Sequence, residues 1–368
     1  MKIVQGGAEA RLNGICPYYT MFPLDFPLNQ LRKAQRGEWV LDPFCGRGTT
    51  NYAARLVGLS SVGIDSSPVA AAIAAVKIVS TAPEAVVRAL RRILADASAK
   101  DIPDGEFWEL CFERKTLQAL CCVREALLED CSSAARIALR ALILGSLHGP
   151  LNQNEPSHLS NQMPRTYASK PGYAIRFWRA RKMRPPNVDL TALVERKARW
   201  YFLAGSTSVG GRIRCGDSRK DNLMPLSPPI TWVVTSPPYY GMRTYVPDQW
   251  LRYWFLGGPS EVSYVLSGQL THQSPDDFAA ELAEVWSNVA TACRPGAHLI
   301  VRFGGIHDRQ QDASEILIDS LEEADCGWKV VSVSPAGEAS HGRRQAQQFV
   351  RDLKDPIAEY DFHARLAA

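Results

Sequence analysis

The chain of 368 residues is long enough for one large domain or two modest ones. Its hydrophobic content of 46% and charged content of 22% are those of an ordinary globular protein. No run of 18 apolar residues and no apolar signal core is present, so we expect a cytoplasmic protein without a membrane partner. The net charge of +4 is a weak indication of an acidic partner.

The first predicted elements alternate between strand and helix. Residues 38–43 form a short apolar strand, and the glycine-rich turn FCGRGTT follows it. A helix then ends at Gly58, residues 60–65 form the next strand, and a second helix begins near Pro68. This alternation is typical of the beginning of a parallel α/β sheet.

The alternation breaks between residues 83 and 204, where the sequence predicts helices followed by a basic region. Strand patterns resume at 211–217 and 230–236 and recur at 297–304, 328–335 and 359–367. The simplest architecture is one α/β domain made of residues 1–82 and 205–368. An inserted helical and basic region, residues 83–204, interrupts this domain and is expected to recognise the target.

The basic region combines positive charge with aromatic rings. Between Pro164 and Arg199, ten Lys or Arg residues stand against Asp189 and Glu195. Phosphate contact plus base stacking would suit this composition, but so would a solvated basic helix whose aromatic rings face the core. The aromatic residues of the region are Tyr167, Tyr173, Phe177 and Trp178.

Nine cysteines are present, an odd number, and none stands in a C-x-x-C pair. The sequence therefore predicts neither a disulfide framework nor a metal site.

The glycine turn is placed where open α/β sheets bind ligands, at the carboxyl end of the first strand. It lacks the lysine of a phosphate-binding P-loop, and Asn51 stands where a dinucleotide fingerprint has its third glycine. A ligand without phosphates remains, such as a nucleoside with a small zwitterionic arm. Asp65 could then accept the ribose hydroxyls and Asp217 an exocyclic amine, although Asp65 could equally cap the following helix.

The stretch VVTSPPYYGM, residues 233–242, ends a predicted strand with two prolines. Neither proline nitrogen can enter the hydrogen-bond ladder, and both stiffen the backbone that follows. A rigid backbone carrying a hydroxyl, free carbonyls and flat rings could bind a flat polar ligand, or it could be an ordinary turn.

Taken together, DPFCGRGTT (42–50), VGIDSSP (62–68), GDS (216–218) and TSPPYY (235–240) resemble the S-adenosylmethionine-dependent DNA amino-methyltransferases. These enzymes methylate the exocyclic N4 of cytosine or N6 of adenine. The segment PYYTMFP (17–23) resembles the family's element that lines the methionine pocket. The resemblance implies a Rossmann-like class I methyltransferase sheet, with S-adenosyl-L-methionine as the cofactor.

The resemblance also implies roles for individual residues. Ser236 Oγ and the Pro237 carbonyl would orient the amine, Tyr239 would stack on the base, and the base would be flipped out of the duplex. The catalytic set is Ser236, Pro237, Pro238 and Tyr239. The cofactor set is Tyr19, Met21, Phe22, Asp42, Pro43, Phe44, Gly46, Gly48, Thr49, Asp65, Ser66, Asp217 and Ser218.

The serine in the first position of the catalytic motif favours cytosine N4, in a specific DNA sequence, over adenine N6. A cytosine C5 enzyme is excluded because no Pro-Cys pair occurs. Adenine N6 methylation, an RNA amino-methyltransferase and a non-catalytic cofactor- and nucleic-acid-binding module remain open. A restriction endonuclease acting with the protein would be a separate polypeptide. The expected nucleic-acid contacts are Arg165, Lys170, Arg176, Arg179, Arg181, Lys182, Arg184, Tyr240 and Arg243.

Overall fold

The computed structural model describes residues 7–18, 22–96, 98–149, 156–162, 168–202, 209–223, 229–241, 246–262, 268–305, 312–336 and 359–367. The chain forms two compact units. A helical unit comprises Met1–Pro17, Val79–Ser206 and Tyr245–Leu266, and a sheet unit comprises Tyr18–Ile78, Thr207–Thr244 and Ser267–Ala368. The helical unit thus includes two segments that lie outside the predicted insertion.

The described part of the sheet unit contains a seven-stranded sheet in the order β3-β2-β1-β4-β5-β7-β6. All neighbours are parallel except β7, which runs antiparallel to both β5 and β6. This is the topology of the class I methyltransferase sheet, as predicted. The strands are β1 Trp39–Asp42, β2 Ser60–Asp65, β3 Gly211–Cys215, β4 Ile230–Thr235, β5 Cys293–Gly304, β6 Trp328–Pro335 and β7 Glu359–Leu366.

Helices connect the strands and make up the second unit. The helices are α1 Ala8–Arg11, α2 Asp25–Leu31, α3 Thr49–Leu56, α4 Pro68–Ile78, α5 Pro83–Asp96, α6 Glu106–Cys111, α7 Arg114–Glu129, α8 Ala134–Leu144, α9 Pro171–Ala180, α10 Leu190–Tyr201, α11 Trp250–Phe255, α12 Pro275–Ala292 and α13 Ala313–Glu323. Short 3₁₀ turns occupy Leu12–Gly14 and Val246–Gln249. None of the helices described is long and apolar enough to cross a bilayer.

Parallel strands are buried where helices cover both faces of the sheet. Every residue of β4 is buried. A large core cluster lies between the sheet and helices α12 and α13, and it includes Phe278, Trp286 and Phe303.

The strand order reverses between β1 and β4, which makes their carboxyl ends the topological switch point of the sheet. From β1 the chain proceeds outward to β2 and β3, and then returns to β4 on the other side of β1. Open α/β sheets bind ligands in the crevice outside such a point. The sheet therefore places the ends of β1 and β4, at Asp42 and Thr235, where a ligand is expected.

The turn after β1 depends on glycine for both conformation and space. Gly48 has φ +79°, and a Cβ atom there would lie 2.9 Å from the Cα of Ala74 in α4. Asn51 is buried in α3, and a Cβ atom on Gly63 in β2 would lie 2.7 Å from its Oδ1 atom. The close approach of helix and strand is therefore provided by a glycine in the strand, although the third fingerprint glycine is absent.

The helical unit has its own core of aromatic side chains. The ring centroids of Trp108 and Trp254 lie 4.6 Å apart, and Trp254 is buried. Arg252 is also buried, and its Nε donates to the carbonyl of Leu144 at the end of α8 at 3.0 Å. Helices α9 and α10 were not predicted individually, since basic residues obscure the apolar period in both. Asp189 caps α10 by accepting from the backbone amides of the first turn.

Candidate cofactor and catalytic site

Asp42, the last residue of β1, is bonded directly to the end of β4. Its Oδ1 accepts a hydrogen bond from Thr235 Oγ1 at 2.6 Å and another from the backbone N–H of Phe44 at 3.1 Å. The Thr50 hydroxyl lies near the carboxylate and lowers its pKa, but its geometry does not meet that of a hydrogen bond. Asp42 thus ties the glycine turn to the strand that carries the catalytic motif.

Burial raises the pKa of the Asp42 carboxyl to about 6, against the lowering effect of the Thr235 hydrogen bond. Burial likewise raises the pKa of Asp65 to about 6, and the two N–H groups bonded to it lower the pKa. Asp65 also contributes to the raised pKa of Asp42 by charge repulsion. Two enclosed carboxylates that repel each other are stabilised by a cation placed beside them.

Backbone N–H groups of the turn donate to acceptors within the protein. Gly46 donates to Asp65 Oδ2 at 2.9 Å. Cys45 donates to the Ile64 carbonyl at 2.9 Å, and Gly48 donates to the Cys45 carbonyl at 2.7 Å. These N–H groups are therefore not arranged as a cradle for phosphate oxygens, which would also face two carboxylates. The carboxylates of Asp42 and Asp65 suit a cationic ligand without phosphates, such as a sulfonium compound.

Asp65 lies at the end of β2, where it both shapes the following turn and keeps capacity for a ligand. Its Oδ1 accepts from the N–H of Ser67 at 2.8 Å, just before α4 begins. The capping interpretation and the ribose interpretation are compatible, because each carboxylate oxygen can accept a second hydrogen bond. Tyr18, which no sequence pattern distinguishes from its neighbours, donates its hydroxyl to Ser67 Oγ at 3.1 Å.

Asp217 follows β3 and is paired with an arginine. Arg219 donates from Nε to Asp217 Oδ1 at 2.9 Å and from Nη2 to Oδ2 at 2.7 Å. The Arg219 hydrogen bonds hold the pKa of Asp217 below its ordinary value. The third guanidinium nitrogen lies 2.7 Å from Glu281 of α12, so the whole pair is fixed to that helix. The role of Asp217 toward an adenine amine stays a prediction.

Ser218 holds two loops together. Its Oγ donates to the Pro43 carbonyl at 2.6 Å, and Asn288 of α12 donates from Nδ2 to the Ser218 carbonyl at 2.9 Å. This hydrogen bond fixes the position of Pro43, and a direct contact of Ser218 with the cofactor stays a prediction. Thr49 is buried at the start of α3, and Ser66 is partly exposed beside Asp65.

The predicted catalytic motif begins at the first residue after β4. Ser236 is partly exposed, and its hydroxyl makes no hydrogen bond with the residues that the structure describes. Pro237 is buried and Pro238 partly buried. Tyr239 donates its hydroxyl to Glu359 Oε1 at 2.9 Å, and its ring packs edge-on against Phe303 with centroids 5.5 Å apart. Glu359, at the start of β7, was missed because nothing in its own sequence neighbourhood links it to this motif.

Three aromatic candidates serve packing in this structure. Phe22 packs against Phe26, with ring centroids 5.1 Å apart, and Phe44 packs edge-on against Trp286 at 6.3 Å. Tyr240 is buried in the core of the sheet unit and packs edge-on against Phe278 at 5.5 Å. A contact between Tyr240 and nucleic acid stays a prediction, although the side chain is buried here.

The remaining candidates divide between the helical unit and the undescribed positions. Arg176 and Arg179 lie in α9, Lys170 precedes it, and Arg181, Lys182 and Arg184 follow it. Within this set, Arg179 forms an ion pair with Glu106. Tyr19, Met21, Arg165 and Arg243 lie outside the described residues. Within the described part, no group of three or more His, Cys, Asp or Glu side chains could hold a metal ion.

The strand order and the glycine turn after β1 are those of a Rossmann-like fold. Residues 10–76 match the family model described as DNA methylase, a family of N6 and N4 amino-methyltransferases. This match covers the glycine turn and both Asp42 and Asp65, and it indicates S-adenosylmethionine as the cofactor. None of the curated proteins matches the chain.

Among solved structures, one similar chain is the rRNA methyltransferase aviRa from Streptomyces viridochromogenes, at 14% identity and a TM-score of 0.36. That comparison covers 97% of this chain and 92% of the other. Another is a SAM-dependent methyltransferase from Methanosarcina mazei, at 10% identity and a TM-score of 0.35, covering 94% of this chain and 98% of the other.

Proposed function

We propose that the protein is a DNA methyltransferase that transfers a methyl group from S-adenosyl-L-methionine to the exocyclic N4 amine of cytosine in a specific DNA sequence. The observation that carries this proposal is the position of Ser236-Pro237-Pro238-Tyr239 directly after β4. Through Thr235 and Asp42, that motif is bonded to the glycine turn at 2.6 Å.

The cofactor, when bound, supplies an electrophilic methyl group on a sulfonium. Asp42 and the turn from Phe44 to Gly48 would hold its cationic methionine end. Asp65 would accept its ribose hydroxyls. The two raised carboxylate pKa values support this assignment, since a cation would relieve the repulsion between Asp42 and Asp65.

The catalytic motif would act by orienting a poor nucleophile. The lone pair of an exocyclic amine is delocalised into its ring, which weakens it. Hydrogen bonds from the amine to Ser236 Oγ and the Pro237 carbonyl would favour lone-pair density on the nitrogen and hold it in one direction. The two prolines keep the carbonyl in place, and Tyr239, anchored by Glu359, would stack on the base.

A base inside a duplex cannot reach such a motif, so the target cytosine would be flipped out or already unpaired. The choice of cytosine rests on the serine at position 236, since the adenine enzymes of this family more often carry Asp or Asn there. DNA is proposed as the partner because the matched family is one of DNA methylases. A cognate restriction endonuclease would be a separate protein.

Nucleoside mass spectrometry tests the proposal. The protein and S-adenosylmethionine are incubated with duplex DNA, single-stranded DNA or total RNA, and the nucleic acids are then digested and analysed for methylated nucleosides. We expect N4-methylcytosine in DNA. Ser236→Ala should lower its rate of formation by on the order of 100-fold, the effect of removing one positioned hydrogen-bonding group. Ser332→Ala, an exposed serine of β6, is the matched control and should leave the rate unchanged.

The other outcomes separate the alternatives. N6-methyladenine would retain the mechanism and overturn the choice of base. Methylation of RNA alone would overturn the choice of nucleic acid. Cofactor binding without any methylated product would contradict an enzymatic role and favour a binding module.

A further inference from the structure

Helix α9 carries two aromatic residues that the core of the helical unit does not use. Its buried face is formed by Ala174 and Trp178, and Trp178 Nε1 donates to the Gln162 carbonyl at 2.9 Å. Tyr173 and Phe177 lie on a neighbouring face, one turn apart. Tyr173 is 52% exposed and Phe177 is partly exposed. Packing within the protein therefore does not account for the ring surface that these two residues expose to water.

The rings of this face form an ordered stack with a guanidinium. The Tyr173 and Phe177 rings are nearly parallel, at 23°, with centroids 6.3 Å apart. The guanidinium carbon of Arg181 lies 3.9 Å from the Phe177 ring centroid. The three side chains are spaced four residues apart and make one continuous row of flat groups. We call this row the α9 stack.

The segment that carries the α9 stack is rich in basic residues. Arg176, Lys182 and Arg184 are exposed and form no ion pair with any residue that the structure describes. The nearest acidic residue along the chain after α9 is Asp189, which is engaged as the cap of α10. Exposed cations beside exposed rings complement a ligand that offers both phosphates and flat bases.

The end of α9 places a lysine where glycine would be less strained. Lys182 has φ +51°, a left-handed conformation that side-chain-bearing residues rarely adopt. Its N–H closes the helix by donating to the Arg179 carbonyl at 3.0 Å. Glycine is the usual residue at such a helix end because it adopts this conformation without strain. Lys182 adds a positive charge there but strains the backbone.

We propose that the α9 stack is a platform for unpaired nucleotides, on which bases of a single-stranded nucleic acid stack while their phosphates contact the surrounding cations. Bases in an intact duplex already stack on each other and present only their edges, so the platform distinguishes single strands from duplexes. The proposal extends the proposed function by naming the form of nucleic acid bound, and it concerns binding alone.

Fluorescence anisotropy with labelled 20-mers tests the platform, without cofactor and at one fixed salt concentration. The probes are a single strand, its duplex, and a single strand of the same length that lacks bases in its central half. We expect the intact single strand to bind about tenfold more tightly than the abasic one, since stacking of one base contributes on the order of tenfold in affinity. Equal binding of the intact and abasic strands would overturn the proposal, because phosphates alone would then explain the affinity.

The variant Tyr173→Ala/Phe177→Ala should lose that preference, so that it binds both single strands equally. Trp200→Ala is the matched control, since Trp200 is also 52% exposed and carries the guanidinium of Arg11 at 3.8 Å from its ring centroid. The control should keep the preference of the wild type. A double variant that still prefers the intact strand would overturn the proposal, as would a control that loses the preference equally.

The variant Lys182→Gly tests whether a loss of binding can occur without a loss of stability. It removes a charge and relieves the positive φ, so the variant should melt no lower than the wild type while binding every phosphate-containing probe more weakly. Its preference for intact over abasic strands should persist, and loss of that preference would contradict an aromatic platform.

The two proposals fail separately. If the wild type prefers intact single strands but yields no methylated nucleoside, the methyltransferase proposal fails and the platform stands. If methylation depends on Ser236 but the intact and abasic strands bind alike, the platform fails and the enzymatic proposal stands.

Discussion

Tyr239 shows how a side chain from a distant strand fixes the orientation of a residue in the catalytic motif. Its hydroxyl donates to Glu359 Oε1 at 2.9 Å, and its ring rests edge-on against Phe303. Glu359 is buried and lies 120 positions away in the sequence. If Tyr239 stacks on the target base, Glu359 acts as a positioning residue that holds the ring by its hydroxyl.

Substitution of Glu359 tests this positioning role. Glu359→Gln keeps an acceptor for the Tyr239 hydroxyl, and we expect methylation to remain within about threefold of the wild type. Glu359→Ala removes the acceptor, and the loss of one hydrogen bond of this kind costs about 0.5–1.5 kcal/mol. We expect it to raise KM for the nucleic acid and lower kcat, with unchanged cofactor affinity in calorimetry. A Gln variant as impaired as the Ala variant would contradict the hydrogen-bond role.

At the scale of elements, helix α3 is flanked by two glycines with almost the same φ. Gly48 before the helix has φ +79°, and Gly58 after it has φ +78°. A Cβ atom on Gly48 would lie 2.9 Å from Ala74, whereas nothing lies within 4 Å of a Cβ atom on Gly58. The two positions therefore separate conformational strain from crowding.

Gly58→Ala should cost only the strain of a left-handed residue, about 1–2 kcal/mol of unfolding free energy. Gly48→Ala should cost that and about 1–3 kcal/mol more, because the added methyl group must displace helix α4. It should also weaken cofactor binding, since it moves the turn that contains Gly46. Denaturant unfolding and calorimetry measure both quantities. Equal losses of stability in the two variants would show that crowding by Ala74 is unimportant.

The pairing of β5 with β7 brings two neutral histidines together. His298 Nδ1 and His363 Nε2 lie 2.9 Å apart, and the His298 ring stacks on Trp232 at 4.0 Å. Arg365 Nη1 lies 2.6 Å from His298 Nε2, which must then accept the hydrogen bond. Burial, with Arg365 as the next cause, lowers the pKa of His298 to about 4, and burial lowers the pKa of His363.

These lowered pKa values predict acid sensitivity. In the unfolded chain these histidines bind a proton below about pH 6.5, their ordinary pKa, whereas in the folded chain they stay neutral to a lower pH. The free energy of unfolding therefore declines as the pH falls toward 4. His298→Phe keeps a flat ring on Trp232 but cannot be protonated. Its unfolding free energy should therefore fall less steeply between pH 6.5 and 4.5, as measured by denaturant unfolding at each pH. A slope equal to that of the wild type would contradict the assignment.

At the scale of the whole molecule, the features that could be predicted from the sequence are those encoded by residues close together in the chain. The strands of the sheet, the glycine turn, Asp42, Asp65 and the position of Ser236 after a strand all follow from short motifs and apolar runs. Contacts between distant segments were not predictable, because no periodicity links their partners. Thr235 and Asp42 are 193 positions apart, and the inclusion of residues 245–266 in the helical unit has no local signal. The burial of Tyr240 was not predictable either, since a Tyr-Tyr pair does not reveal which ring is buried.

At the scale of the whole protein, the carboxylates of Asp42 and Asp65 predict how cofactor binding depends on pH. Asp42 and Asp65, both with a pKa of about 6, must be ionised to attract a cation. Cation binding favours the ionised carboxylates, so it releases protons near pH 6 and weakens as the pH falls through that value. Calorimetric affinity for S-adenosylmethionine should therefore decrease by on the order of tenfold from pH 7 to pH 5, a loss of about 1.4 kcal/mol. Asp65→Asn should bind more weakly at pH 7 and vary less with pH, because one of the two titrating groups is gone. An affinity that stays constant or rises toward pH 5 would contradict the placement of the cation beside these carboxylates.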